Sequence, residues 1–164
     1  KHIGAVGVRL HFPKTNNIQH CGIVNLNDGP GHAFYNFSSE HIYAFGRNIL
    51  PFNYIAITAA CMMIERKKFL DVNMYDESFP IAYNDVDLCF KLHNNNYYNV
   101  SLNHIYLIHY ESVSRGIDHE DSQKLKRLEK ERKRLYQKHP HLYYKDPFYN
   151  VNLHPNSIDF RNEY

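Results

Sequence analysis

The stretch Tyr54-Ile55-Ala56-Ile57-Thr58-Ala59-Ala60-Cys61-Met62-Met63-Ile64 holds the longest apolar run in the chain. It is β-branched at its start and apolar at odd and even positions alike. That reads as a strand buried on both faces, as when helices cover both sides of a sheet. Its length is about half the roughly twenty residues needed to cross a bilayer, so no membrane span is expected from it.

The flanks extend the α/β reading. Upstream, Val6, Val8 and Leu10 alternate as a strand does, and residues 12–17 carry the Pro and Asn punctuation of a turn. Residues 18–24 then read as a second strand, so the pair forms a hairpin. Residues 27–53 show little periodicity and read as a long loop, with a flexible Gly-Pro-Gly segment at 29–31. Downstream, a short helix is expected at 66–70, and a loop at 71–82 holds Asp76, Glu77 and Pro80. Asn84 is a good N-cap, and Val86, Cys89 and Phe90 recur at helical spacing, which predicts a helix over 85–94. Residues 97–102 and 105–110 read as two further strands.

From Asp121 to His139 the chain is rich in Lys and Arg, with Leu125, Leu128 and Leu135 as a thin apolar stripe. This predicts a basic surface helix within 119–139 with a narrow buried seam. Pro140 stops it, and residues 140–164 read as an irregular packed tail. No linker or repeat divides the chain, so 1–164 is expected to be a single domain with a mixed sheet flanked by helices.

Composition narrows the function classes. The chain has 43% hydrophobic and 22% charged residues, which excludes disorder over its length. Lys plus Arg number 19 and Asp plus Glu 17, a net charge of +2. That balance argues against nucleic acid as a partner. Cys21, Cys61 and Cys89 are widely spaced and form no CxxC pair. They read as buried free thiols in a reducing compartment, hence a cytoplasmic expectation. No GxGxxG, P-loop, GxSxG or HExxH motif is present. His20, His32 and His104 match no standard metal spacing.

The densest polar cluster comprises Asp76, Glu77, Asp85 and Asp87, followed by His109, Glu111, Ser112, Ser114 and Arg115. Asp85 and Asp87 fall in the first turn of their helix, where the peptide dipole favours anions. Such a carboxylate is a general base, a metal ligand or simply a cap. His109 ends a β-branched strand, where α/β folds place their sites.

The order of these segments resembles the C-terminal, acceptor-side half of a family 2 glycosyltransferase with the GT-A fold. Ile18-Gln19-His20-Cys21-Gly22-Ile23 is similar to that family's "QHAG" segment, and residues 58–64 to its "TGACMLI" strand. Tyr75-Asp76-Glu77-Ser78-Phe79 resembles "FDE.F", and Asn84-Asp85-Val86-Asp87-Leu88-Cys89 resembles "EDVDLC". Residues 109–116 resemble "HHESxSRG", and Asp146-Pro147-Phe148-Tyr149-Asn150 resembles "DPYYN".

The resemblance implies an inverting transfer of a sugar from a nucleotide-diphosphate donor to an acceptor hydroxyl, in surface polysaccharide or glycoconjugate synthesis. Asp85 corresponds to the catalytic base and His109 to a ligand completing a divalent metal site, Mn or Mg. Asp76, Glu77 and Asp87 fall in substrate-binding segments, and Arg115 has the charge to neutralise phosphate. The acceptor would be a glycan or lipid-linked, which allows peripheral membrane association. The nucleotide-binding half with its DxD motif has no counterpart in the 164 residues. The expectation is therefore a partial GT-A-like fold, inactive alone and holding no metal alone, with an exposed sheet edge that invites a homodimer. Asn84 stands where the family has Glu, and Ala59 and Asn73-Met74 where it has Gly. These departures support the alternative of a non-catalytic glycan- or protein-binding module on the same fold.

Overall fold

The computed structural model describes residues 2–110 and 122–162. Its central pair is β1 (Ile3–His11) and β7 (Tyr98–Ile108), which run parallel. Between them in sequence lie β2 (Ile18–His20), β3 (Ile23–Leu26), β4 (Gly29–His32), β5 (Pro51–Tyr54) and β6 (Met62–Ile64). Among the described residues, β2-β1-β7-β5 form a mixed sheet, with β6 as its fifth strand, antiparallel to β1. β6 pairs residues 5–7 of β1 and β2 pairs residues 10–11, so the two share one edge of β1. β3 and β4 make a separate antiparallel hairpin. The α-helices of the described residues are α1 (Arg66–Asp71), α2 (Asn84–Asn94) and α3 (Ser122–Lys138). The chain is α/β with a mixed sheet, compatible with a partial nucleotide-sugar-transferase-like fold.

Helix α2 packs on β1 and β7. Val86, Leu88, Cys89, Phe90 and Leu92 are buried, as the helical spacing predicts. The strand beneath is built of small residues: Ala5 and Gly7 are buried while Val6 and Val8 are half-buried. A Cβ on Gly7 would lie 2.2 Å from Ile57 Cγ2 and 3.0 Å from Cys61 O, so glycine is what lets the segment after β5 sit close on β1. Asn99 stitches these layers together. Its Oδ1 accepts the Ala5 N–H at 3.1 Å, and its Nδ2 donates to Ile55 O at 2.9 Å and Cys89 O at 3.1 Å. Buried amides of this kind satisfy backbone groups that the sheet ladder misses.

Four expectations are corrected. The run 54–64 is not one strand: Tyr54 ends β5, residues 55–57 are fully buried, and Ala59–Cys61 form a 3-10 turn before β6. The cause is Thr58, whose hydroxyl accepts the Ala60 N–H and starts the turn. Residues 18–24 also split, because Gly22 adopts φ +112 against the Tyr54 ring. Conversely, the two strands expected after residue 97 are the single strand β7. Its register on β1 slips between Val8, opposite Leu102, and Arg9, opposite Tyr106. Asn103 lies in that bulge, fully buried, and donates to Cys21 O at 3.2 Å and Arg47 O at 2.7 Å. The expected long loop likewise contains β4 and β5.

Leu135 and Tyr136 bury the seam of α3, and Leu142 and Phe160 carry the tail onto the core. Cys21 and Cys89 are buried free thiols. Residues 105–108 of β7 are each 43–52% exposed despite being apolar. No helix of the described residues is long and apolar enough to cross a membrane.

Candidate functional site

Asp85 stands in the first turn of α2. The residue before the helix, Tyr83, is held at φ 60, the left-handed region that side chains disfavour. Asn84 is the first residue of α2 and not its N-cap as expected; its Oδ1 accepts the Asp85 N–H at 2.8 Å. Asp85 Oδ1 accepts the Val86 N–H at 2.8 Å, and Oδ2 accepts the Ala59 N–H at 3.0 Å. The carboxylate is half-buried and bound on both oxygens by backbone.

Ala59 connects it to His109. A hollow of about 100 Å³ is lined by Leu10, Gln19, Thr58, Ala60 and His109, among others. Thr58 and Ala60 flank Ala59, so the turn gripped by Asp85 forms one wall of the hollow and His109 another. His109 Nδ1 lies 2.8 Å from Gln19 Oε1. A carbonyl oxygen can only accept, so Nδ1 carries the proton and Nε2 presents a lone pair when the ring is neutral.

Two histidines read separately in the sequence meet in this hollow. His20 Nδ1 and His32 Nδ1 are 3.0 Å apart, and His20 Nε2 accepts the Gly22 N–H at 3.2 Å. Burial, with the His32 charge adding to it, holds His20 well below the ordinary histidine value. His20 is thus neutral at pH 7, with its proton on Nδ1 facing His32. No local sequence pattern announces this pairing, because His20 lies in β2 and His32 in β4, strands of different sheets.

The other acidic residues form a different constellation. Asp87 is fully buried. Its Oδ1 takes Lys138 Nζ at 2.6 Å and His139 Nε2 at 2.9 Å, and its Oδ2 faces Lys91 Nζ at 3.3 Å. Burial alone would raise this carboxyl, but the hydrogen bonds from His139 and Lys138 outweigh it and hold it low. Lys138 also reaches Asp76 Oδ2 at 2.6 Å. That bond, with the Ser78 N–H on Oδ1 at 2.8 Å, holds Asp76 well below the usual carboxylate range. Asp87 therefore clamps α3 to α2, Asp76 ties α3 to the loop before α2, and Glu77 is exposed on the neighbouring turn. Arg115 lies outside the described residues, as do Glu111, Ser112 and Ser114.

Among the described residues no group of three or more His, Cys, Asp or Glu side chains could hold a metal ion.

Against known proteins, the chain is 39% identical over 164 residues to "Uncharacterized protein y4gI" of Sinorhizobium fredii (strain NBRC 101917 / NGR234), a match covering 96% of this chain and 17% of that protein. It is 33% identical over 118 residues to "O-antigen biosynthesis protein RfbC" of Myxococcus xanthus, covering 71% of this chain and 9% of that protein. The chain thus spans less than a fifth of either curated relative. No protein-family model matches it. No solved structure matches it.

Proposed function

We propose that this chain is the acceptor-side part of a glycosyltransferase acting in polysaccharide synthesis, with inversion at the transferred sugar. The similarity to a protein named for O-antigen biosynthesis supports the process. The observation that carries the reaction is the Asp85 carboxylate, bound by the Ala59 N–H to the turn whose Thr58 and Ala60 line a hollow together with His109.

Asp85 would act as general base. As the acceptor oxygen attacks the anomeric carbon of a nucleotide-diphosphate sugar, its proton passes to the carboxylate and the bond to the diphosphate breaks. Bound by backbone on both oxygens, the carboxylate keeps its direction without reorganising, which is what a positioned base requires. His109, with its proton held on Nδ1 by Gln19, would point Nε2 toward the leaving group. A divalent cation accompanying the donor would neutralise charge on the diphosphate; His109 is the ligand this chain would add to it. The acceptor would be a glycan or lipid-linked sugar.

The test is to incubate the full-length protein with nucleotide-diphosphate sugars and a glycan acceptor, and to follow the anomeric proton by NMR. Net inversion in the product is expected. A product of retained configuration contradicts the mechanism. Glycan binding with no release of nucleoside diphosphate favours a non-catalytic binding module, the reading that Asn84 and Ala59 support.

A further inference from the structure

A second, larger pair of hollows lies along the C-terminal tail and shares no lining residue with the Asp85–His109 region. One, of about 490 Å³, is lined by His93, Asp146 and Asn150 among others. Its neighbour, of about 510 Å³, is lined by Arg132, Gln137 and Tyr143 among others. Asn27 and Tyr144 line both, so the two are adjoining compartments of one groove. Each falls in the size range of small-molecule sites, about 300–1,000 Å³.

The divider is unusual. The Tyr143 and Tyr144 rings stack at 3.8 Å between centroids, and their hydroxyls are 2.7 Å apart. Both residues are about half exposed, at 48% and 50%, so core packing does not account for the arrangement. Tyr144 is held at φ 55, a backbone state that costs a tyrosine energy and recurs at ligand-binding positions. Tyr143 is braced from beneath by the edge of the buried Tyr136 ring, 5.0 Å away.

Of the charged wall groups, Asp146 and Arg132 are turned to the protein and Lys133 pairs with Glu129 at 2.9 Å, while Lys145 and Asp28 are exposed, one of each sign. Asp146 accepts the Asn25 and Phe148 N–H groups, each at 2.8 Å. Arg132 donates to Asp28 O. A ligand meets two tyrosine faces set among amide and imidazole groups, with exposed charges of opposite sign at Lys145 and Asp28 that together favour no net charge on it. Aromatic faces accept the C–H face of a pyranose ring, and amides and imidazoles bond its hydroxyls. Two compartments in line suit successive sugar units better than one compact molecule.

We propose that this groove binds an uncharged oligosaccharide, divided between its compartments by the Tyr143–Tyr144 stack. The inference goes beyond the transfer reaction: it needs no chemistry at Asp85 and would hold a glycan away from the reacting end. The test is saturation-transfer NMR on the purified chain with cellotetraose, chitotetraose and α-mannotetraose, and with tetragalacturonate as the charged control. At least one neutral tetrasaccharide should bind. Tyr144→Gly, which relieves the backbone while deleting the ring, should weaken it by about tenfold or more, as loss of an aromatic anchor does. Tyr143→Ala should weaken it too, and Tyr144→Phe should restore binding. Asp85→Asn should leave it unchanged. The proposal is overturned if no neutral tetrasaccharide binds, if only the charged one binds, if Tyr144→Gly binds as the parent does, or if Asp85→Asn abolishes binding. Lost transfer with intact tetrasaccharide binding would sink the proposed reaction and leave this groove standing; the reverse outcome would do the opposite.

Discussion

Asp85 Oδ2 accepts the backbone N–H of Ala59 at 3.0 Å. This bond joins the start of α2 to the turn at Ala59–Cys61, two segments 26 residues apart in sequence. It aims the carboxylate and shapes the hollow at once, so the geometry of the turn and the reactivity of the acid are coupled.

Gly7 underlies that turn. Gly7→Ala would press a methyl against Ile57, which is fully buried and cannot yield. Overpacking of this kind costs about 1–3 kcal/mol, read as a lower urea midpoint. Ile57→Ala in the same chain removes the clashing Cγ2, so the double variant should be less destabilised than the two single costs summed. Simple additivity would contradict the contact.

Met74 should respond in the opposite sense. Asn73 and Met74 hold φ 60 and 50 where the resembled family has two glycines. Asn tolerates this region, whereas Met is strained in it by about 1–2 kcal/mol. Met74 is 47% exposed and loses little packing when cut back. Met74→Gly should therefore stabilise the fold by about 1 kcal/mol in denaturant unfolding. A destabilised variant would show that the side chain matters more than the backbone.

The clamp between helices should weaken in acid. Asp76 and Asp87 are both held below their ordinary values, so their contribution is present above the unfolded carboxylate value of about 4 and is lost as pH falls through the lower folded values. Lys138→Met removes the shared cation, leaving Asp87 with His139 and Lys91. It should cost about 2–3 kcal/mol at pH 7, below the usual loss for breaking a buried pair. The gap between parent and variant should narrow steadily as pH falls below about 4. A gap that stays constant with pH would contradict the assignment.

Asp146 should titrate the other way. Burial pushes its carboxyl up to about 6, against the Asn25 and Phe148 N–H groups that oppose the shift. Folding then takes up a proton between the unfolded value of about 4 and that point, so this residue favours the folded state as pH falls through the window. Carboxyl-carbon NMR should place its midpoint near 6. A midpoint in the ordinary range would mean that water reaches the group.

The sequence exposes α2 well, because its buried residues follow plain helical spacing; of the seam expected on α3, Leu135 is buried but Leu125 is 44% exposed. It exposes the strands less well. Thr58 and Gly22 break apolar runs through local backbone bonding and a left-handed φ, neither of which alters hydrophobicity. Asn103 does the reverse: a polar residue that looks like a break is a buried amide inside a continuous strand. Carboxylates at a helix start look alike in sequence, yet Asp85 reaches the turn at Ala59 while Asp87 is buried under Lys138 and His139. Their difference follows from the 3.6-residue turn, which sends positions 85 and 87 to different sides of α2. The pairing of His20 with His32 depends on two strands of different sheets and has no local signature.

The most direct test is single-turnover transfer by the full-length protein carrying Asp85→Asn. Asn keeps an oxygen for the Ala59 N–H, so the turn should persist, while the proton acceptor is gone. The transfer rate should fall by about a hundredfold or more, with donor affinity within about threefold of the parent. Transfer at the parent rate would remove the proton-accepting role from Asp85 and with it the proposed mechanism.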